Sequence, residues 1–404
     1  MFMDMRCILG TIRSVLKSEG VVEGGTGARC MQNCNKKKLL IVTNHSYMLY
    51  RFRKELIQRL MEEYEVVIST PFVGHEEDLQ ELGAHCIETE VDRRSVNPVT
   101  DLRLLRTYKK ILKRENPDLV ITYSIKPNIY AGYLCGKMKI PFLANVQGLG
   151  TAFQKPVLSD MVTVMYWTAL RKVEKVIFEN QANAQEFKKR RILSEEKEVV
   201  LHGAGINLEE YRYRFYPNNE KIHFLYLGRI MKEKGMDELF GAIERLRKDG
   251  CEFVLDLVGF FEDEYKKKVE HLQKEGIVRF YGFQEDPRPF YAQADCAVLP
   301  SYHEGMSNVL LEAAASGRAI ITTDIPGCRE AVDNGKSGML CRVKSADSLY
   351  KAMKRFTELS RDKREAIGKA GREKMEKEFD KNQVVEETVK VITGNRSKQE
   401  RGRL

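Results

Sequence analysis

The 404-residue sequence contains no run of eighteen apolar residues, so it offers no stretch of the length a transmembrane helix needs. Its nine cysteines are scattered and odd in number, which argues against a disulfide framework. Cys30 and Cys34 stand close together, but no second cysteine or histidine pair accompanies them, so a zinc-ligand pattern is lacking. The first thirty residues carry Asp4, Arg6, Arg13, Lys17 and Glu19 without an uninterrupted apolar block; a signal peptide is not expected, and a cytoplasmic location is. Aromatic and basic residues do not interleave as they do in single-strand binders, so nucleic acid is not an expected partner.

What is present is a hydrophobic fraction of 43% and a formal net charge of +9. The length exceeds one ordinary core and implies two domains. The positive balance favours phosphorylated ligands or an anionic membrane surface. Charge alone does not choose between them, because stretches such as "RLLRTYKKILKRE" (103–115) also read as solvated helix faces.

From Lys38 onward, short Val/Ile/Leu runs alternate with helix-length segments. The runs are "KLLIVT", "YEVVIST", "HCIETEV", "DLVITY", "PFLANV" and "KVIFEN". Continuous apolar runs of this length suit parallel strands buried on both faces. The pattern restarts with "IHFLYLG", "EFVLDLVG", "IVRFYG", "DCAVLP", "AIITT" and "GMLCRV". The fold class is therefore α/β, with two Rossmann-like doubly wound domains. The expected division is an N-terminal domain at 38–215, a C-terminal domain at 216–380, and a final helix with a basic tail at 381–404. The turn-rich stretch 212–219 marks the boundary. Residues 1–37 fit neither unit and are expected to be a disordered extension; Met31 is an alternative start.

Ligands of such sheets bind beyond the carboxyl ends of the strands. Two segments stand there. In "LYLGRIMKEKGMDELF" a strand ends at Leu227, and Gly228, Arg229, Lys232, Lys234 and Gly235 precede a helix. Close backbone approach at glycine, clustered cations and a helix N-terminus suit an anion; a solvated basic loop is the alternative. In "SYHEGMSNVLLEAAASG", Ser307 is a candidate N-cap and Gly317 a candidate stop. Asn308, Glu312 and Ser316 form a thin polar stripe on an otherwise apolar helix. A buried carboxylate is costly without donors. A ligand diol, such as a ribose, supplies two; a core Arg or Lys is the alternative partner. Glu304 and the amides of Gly305, Met306 and Ser307 would meet other parts of the same ligand.

"HEGMSNVLLEAAASGRAIITTDIPGCREAV", with seven residues between Glu304 and Glu312, resembles the signature of retaining family-four glycosyltransferases of GT-B fold. "LGRIMKEKGMDEL" and "GFQEDPRPFYAQADCAVLPS" are similar to other segments of that family. "TYSIKPNIYAGYL" and "NVQGLGTAF" resemble its bacterial members that extend polyprenyl-diphosphate-linked surface glycans. The resemblance implies two domains facing across a cleft, with a nucleotide-sugar donor, most simply UDP-linked, on the C-terminal side. It implies a lipid-linked or saccharide acceptor on the other side. It assigns Arg229 and Lys234 to the donor diphosphate, Glu304 to the donor sugar and Glu312 to the ribose, with Gly228, Gly305, Met306, Ser307 and Asn308 also on the donor side. Many relatives carry a histidine where Gln147 stands, and glutamine cannot act as a general base. No Asp-x-Asp pair is found, so neither a metal nor another cofactor is expected. A nucleotide-sugar epimerase and a non-catalytic basic membrane protein are the alternatives.

On the acceptor side the candidates are His45, Lys126, Asn128, Gln147 and Gly148. His45 also suits a surface or N-capping role. Lys126 and Asn128 suit an acceptor diphosphate or a turn and cap around Pro127. Residues 157–176, "VLSDMVTVMYWTALRKVEKV", are largely apolar, hold the chain's single Trp and end in Arg171, Lys172 and Lys175. They read either as an interfacial helix or as a core helix. With "KKRR" (188–191) nearby, peripheral association with the inner face of the plasma membrane is expected.

Overall fold

The structure is a computed structural model and describes residues 36–92, 97–150, 153 and 156–394. The expected extension at 1–37, the Cys30/Cys34 pair and the tail beyond 394 lie largely or wholly outside the described residues.

Two parallel sheets form the frame. The first has seven strands, β1 (Lys37–Val42), β2 (Tyr64–Thr70), β3 (His85–Glu88), β4 (Leu119–Tyr123), β5 (Phe142–Val146), β6 (Lys175–Phe178) and β7 (Glu198–Val200). Their order is β3-β2-β1-β4-β5-β6-β7. Helices α1 (Ser46–Met61), α2 (Glu76–Glu81), α3 (Pro98–Glu115), α4 (Ile125–Met138), α5 (Pro156–Ala169) and α6 (Gln181–Lys189) connect them. The second sheet has six strands, β8 (Ile222–Leu227), β9 (Phe253–Val258), β10 (Val278–Gly282), β11 (Cys296–Leu299), β12 (Ala319–Thr323) and β13 (Gly338–Cys341), in the order β10-β9-β8-β11-β12-β13. Its helices are α7 (Met236–Lys248), α8 (Lys266–Lys274), α9 (Arg288–Gln293), α10 (Asn308–Ala315), α11 (Ala346–Thr357) and α12 (Arg361–Glu378); α13 (Lys381–Gly394) closes the described chain. In both sheets the strand order reverses between the first and fourth strands, which opens a crevice at their carboxyl ends.

The strand assignments follow burial. Leu39 to Val42, Val120 to Tyr123 and Val254 to Val258 are all buried, because helices cover both faces of each sheet. Sequence reading left out β7, a three-residue edge strand whose Val200 is exposed and which carries little apolar signal.

The linker between the sheets is pinned. Arg318, fully buried, donates to the carbonyls of Arg214 and Phe215 at 2.8 and 2.9 Å. The last helix does not stand apart. Val385, Val389 and Ile392 of α13 join Leu49, Leu56, Ile57 and Leu60 of α1 in one core cluster. The chain thus leaves the second sheet at its end and packs back on the first. Among the described residues, no helix is long and apolar enough to cross a membrane.

Candidate active site

The loops after β8 and β11, where the sequence reading expects the donor, are built around close backbone approaches. Gly228 follows β8 at φ 149, and a Cβ on the neighbouring Gly259 would sit 1.8 Å from the Gly228 carbonyl oxygen. Gly235 starts α7 at φ 75, where a Cβ would lie 2.1 Å from the Pro300 carbonyl oxygen. Only glycine fits there, on grounds of both conformation and space. The β8 and β11 loops are thereby locked together.

That lock sets the charges. Lys234 donates to Glu304 Oε1 at 2.5 Å, and Ser301 Oγ donates to the same oxygen at 2.7 Å. Arg229 stands on the same loop, its carbonyl accepting from Tyr226 Oη at 2.6 Å and its guanidinium paired with Glu262 at 2.7 Å. A basic strand-to-helix loop thus presents one half-buried and one more exposed cation beside a carboxylate.

Glu312 is the buried carboxylate of α10, with 5% exposure. Its near donors are phenols. Tyr291 Oη donates at 2.8 Å, and Tyr211 adds a second hydroxyl. Burial pushes the Glu312 carboxyl up to about 7, against the pull of these hydroxyls and of Arg51. Arg51 comes from α1 of the first sheet and donates to Tyr211 Oη at 3.0 Å. Among the described residues, neither a lysine nor an arginine pairs directly with Glu312, unlike one sequence alternative. A small cavity of about 20 Å³ lies here, lined by Arg51, Glu55, Asn207, Tyr211, Asn308 and Glu312 among others.

The α10 N-terminus needs one correction. Ser307 occupies the N-cap position, but its side chain makes no capping bond, and its N–H donates to the Gly327 carbonyl at 2.8 Å. That amide is spent inside the fold and does not face an anion. Among the described residues the Gly305 and Met306 amides have no such partner. The Met306 side chain packs at 7% exposure beside Gly203 of the first half. Gly317 ends the helix as expected, at φ 78.

The first half meets this loop from the other side. Asn180 Nδ2 donates to the Gly305 carbonyl at 2.6 Å. A Cβ on Gly305 would lie 1.7 Å from the Gln147 carbonyl oxygen, and one on Gly148 would touch Gly305 Cα at 3.5 Å. Gln147 and Gly148 are therefore brought against the donor loop. Ser124, at the strained φ of 76, donates to Asn44 Oδ1 at 2.9 Å and lies 3.4 Å from Gln147 Oε1, joining the ends of β1, β4 and β5. Behind them Arg53 and Glu179 form a buried ion pair at 2.6 Å.

The other acceptor-side candidates separate. His45 takes the N-cap position of α1 in extended conformation, without a side-chain capping bond, its ring edge-on to Tyr47. Lys126 is paired with Asp101 at 2.8 Å. Asn128 is completely buried, accepting from Thr122 Oγ1 at 2.7 Å and donating to the Asn145 carbonyl at 2.9 Å. Its amide ties β4 to β5 from inside α4, whose N-cap is Ser124, so Asn128 is neither the turn residue nor the cap that the sequence suggested, and its polar atoms are engaged within the fold. Sequence reading missed Arg51, Tyr211, Tyr291, Asn44, Ser124 and Asn180, whose spacing carries no signal. Gly327, in the "PG" turn, was the one with a local cue.

Residues 209–374 match the family described as glycosyl transferases group 1, and residues 38–180 match glycosyl transferase 4-like. A Campylobacter jejuni N,N'-diacetylbacillosaminyl-diphospho-undecaprenol alpha-1,3-N-acetylgalactosaminyltransferase is 31% identical over 322 residues, covering 74% of this chain and 84% of that protein. The chain belongs to the group 1 glycosyltransferases. A capsular polysaccharide biosynthesis glycosyltransferase of Staphylococcus aureus, CapM, is 30% identical over 48% of this chain and 55% of its own length. Among solved structures, Anabaena HepE in complex with UDP and glucose superposes with a TM-score of 0.72 at 16% identity, covering 89% of this chain and all of that one. The fold of this glycosyltransferase is thus the GT-B fold, two Rossmann-like domains as the sequence implied. Six described cysteines are free thiols, and among the described residues no group of three or more His, Cys, Asp or Glu side chains is placed to hold a metal ion.

Proposed function

We propose that this glycosyltransferase moves a sugar, with retention and without a metal, from a nucleotide-diphosphate donor to a lipid-linked or saccharide acceptor in bacterial surface-glycan synthesis. The observation that carries the reading is the convergence of Arg229, Lys234 and Glu304 at the β8–β11 crevice, with Glu312 buried on the helix that follows. Arg229 and Lys234 hold the diphosphate, Glu304 holds sugar hydroxyls, and Glu312 accepts from the ribose hydroxyls. A UDP-linked donor is favoured, since the HepE structure holds UDP. An undecaprenyl-diphosphate-linked acceptor is favoured by the name of the Campylobacter relative. Such an acceptor places the enzyme at the membrane face.

Gln147 supplies no base. The acceptor oxygen attacks the anomeric carbon on the face of the departing diphosphate, the anomeric C–O bond breaks, and the acceptor proton passes to a phosphate oxygen of the leaving group. Fixed cations stabilise the negative charge that develops there.

The test is nucleotide release from UDP-, GDP- and dTDP-sugars with and without a polyprenyl-diphosphate saccharide. Acceptor-dependent release of one nucleotide, lost in Arg229→Ala and Glu312→Ala, is expected. Interconversion of the donor without an acceptor would replace this reading with an epimerase. Unchanged donor turnover in both folded variants would overturn the site.

A further inference from the structure

Helix α5 is core on one side only. Val162, Tyr166 and Ala169 are buried, whereas Met161, Val164 and Trp167 are 49, 63 and 52% exposed. At its far end lies a groove of about 400 Å³, lined by Trp167 and by Arg171, Lys188, Arg191 and Lys197, with no acidic residue in its lining. Lys188 is paired with Glu195, but Arg171 and Arg191 have no carboxylate partner among the described residues. Arg191 holds φ 54, a left-handed conformation just past α6 that glycine or asparagine adopts with less strain.

We infer that this face docks on an anionic lipid bilayer, with the Met161–Val164–Trp167 ridge entering the headgroup layer and Arg171 and Arg191 holding a lipid phosphate. An apolar ridge beside cations with no carboxylate partner among the described residues is complementary to such a surface in both shape and charge. The orientation also serves the acceptor. Gly148 touches Gly305 of the donor loop, α5 starts eight positions later in the chain at Pro156, and Trp167 lies roughly 16 Å further along the α5 axis. Val99 and Leu102, exposed at the start of α3, belong to the same helical layer. The membrane plane would therefore run from the cleft mouth to the cationic groove. The inference rests on the lipid-linked acceptor reading above and names the surface that reading requires.

Trp167 is the chain's single tryptophan, so its emission reports on this surface alone. The full chain is titrated with vesicles of phosphatidylglycerol in phosphatidylcholine, with phosphatidylcholine vesicles, and with inorganic phosphate. A blue shift and protection from iodide quenching are expected with the anionic vesicles only. Arg171→Glu combined with Arg191→Glu should weaken vesicle binding at least about tenfold, since each basic residue near such a surface adds measurably to affinity. Transfer to a water-soluble saccharide acceptor should persist in that variant; its loss in the wild-type enzyme as well would fault the function reading and leave the vesicle result standing. Vesicle binding without a Trp167 shift, binding indifferent to both charge reversals, or a response to inorganic phosphate alone would overturn the docking surface.

Discussion

Lys234 and Glu304 are seventy positions apart in sequence and 2.5 Å apart in space. The pairing follows from the adjacency of β8 and β11 and from the Gly235–Pro300 backbone contact, which leaves both side chains at the mouth of the same crevice. Under the proposed function, the carboxylate that holds sugar hydroxyls orients the cation that holds phosphate.

Removing that cation should lower turnover more than it lowers stability. Lys234→Ala is expected to reduce kcat by about 10²–10³, the usual cost of losing one fixed contact to developing charge. Arg229→Ala should lose nucleotide release as well, because its guanidinium exchanges Glu262 for the donor diphosphate. Steady-state nucleotide release, with thermal melts as the folding control, checks both.

Donor binding should depend on pH through Glu312. Its carboxylate accepts at both oxygens, whereas the protonated group turns one of them into a donor, and burial pushes the carboxyl up to about 7. Affinity for the free nucleotide should therefore rise between pH 6 and pH 8, and Arg51→Ala, which removes a charge that favours the carboxylate, should move the midpoint upward. Isothermal titration at several pH values measures this.

The same shift makes a stability prediction. A folded carboxyl that titrates above its unfolded value of 4.5 contributes stability that is fully present below 4.5 and is lost as pH rises through about 7. The difference is on the order of 3 kcal/mol. Glu312→Gln should accordingly be more stable than the wild type at pH 8 and close to it at pH 4.5, while losing donor affinity. Denaturant melts at the two pH values decide it.

Gly305→Ala should force the halves apart. The added Cβ would lie 1.7 Å from the Gln147 carbonyl oxygen, a contact that requires backbone movement. We expect a loss of about 1–3 kcal/mol and a larger radius of gyration by small-angle scattering. An unchanged profile would mean that Gln147 and the donor loop are not in contact in solution.

Arg53→Ala should destabilise by about 3–5 kcal/mol, because it strands Glu179 as an unpaired buried charge. Burial already raises the Glu179 carboxyl, with Arg53 opposing it. Arg53→Met with Glu179→Leu should recover most of the loss. A double-mutant cycle by chemical denaturation separates the pair from the site.

The strands were legible because parallel sheets covered on both faces demand continuous apolar runs, and Leu39 to Val42 or Val66 to Ile68 leave little else to read. β7 escaped because three residues at a sheet edge, one of them exposed, make no run. The helix stop at Gly317 was legible because a positive φ selects glycine locally. The Ser307 amide was misplaced because its partner, the Gly327 carbonyl, is fixed by a distant loop.

By itself the sequence determined two α/β units, the glycine-bounded basic loop at Gly228 to Gly235, and the placing of Glu304 and Glu312 on either side of one helix start, since these rest on local periodicity, turn chemistry and short spacing. Only the tertiary structure decided which donors satisfy Glu312, that Asn128 ties strands together, that Arg51 reaches the donor side, and that α5 leaves Trp167 in solvent. Those outcomes depend on which sheet ends face each other and which helix faces find cover, and no spacing along the chain encodes a contact between residues that meet only after the two halves pack.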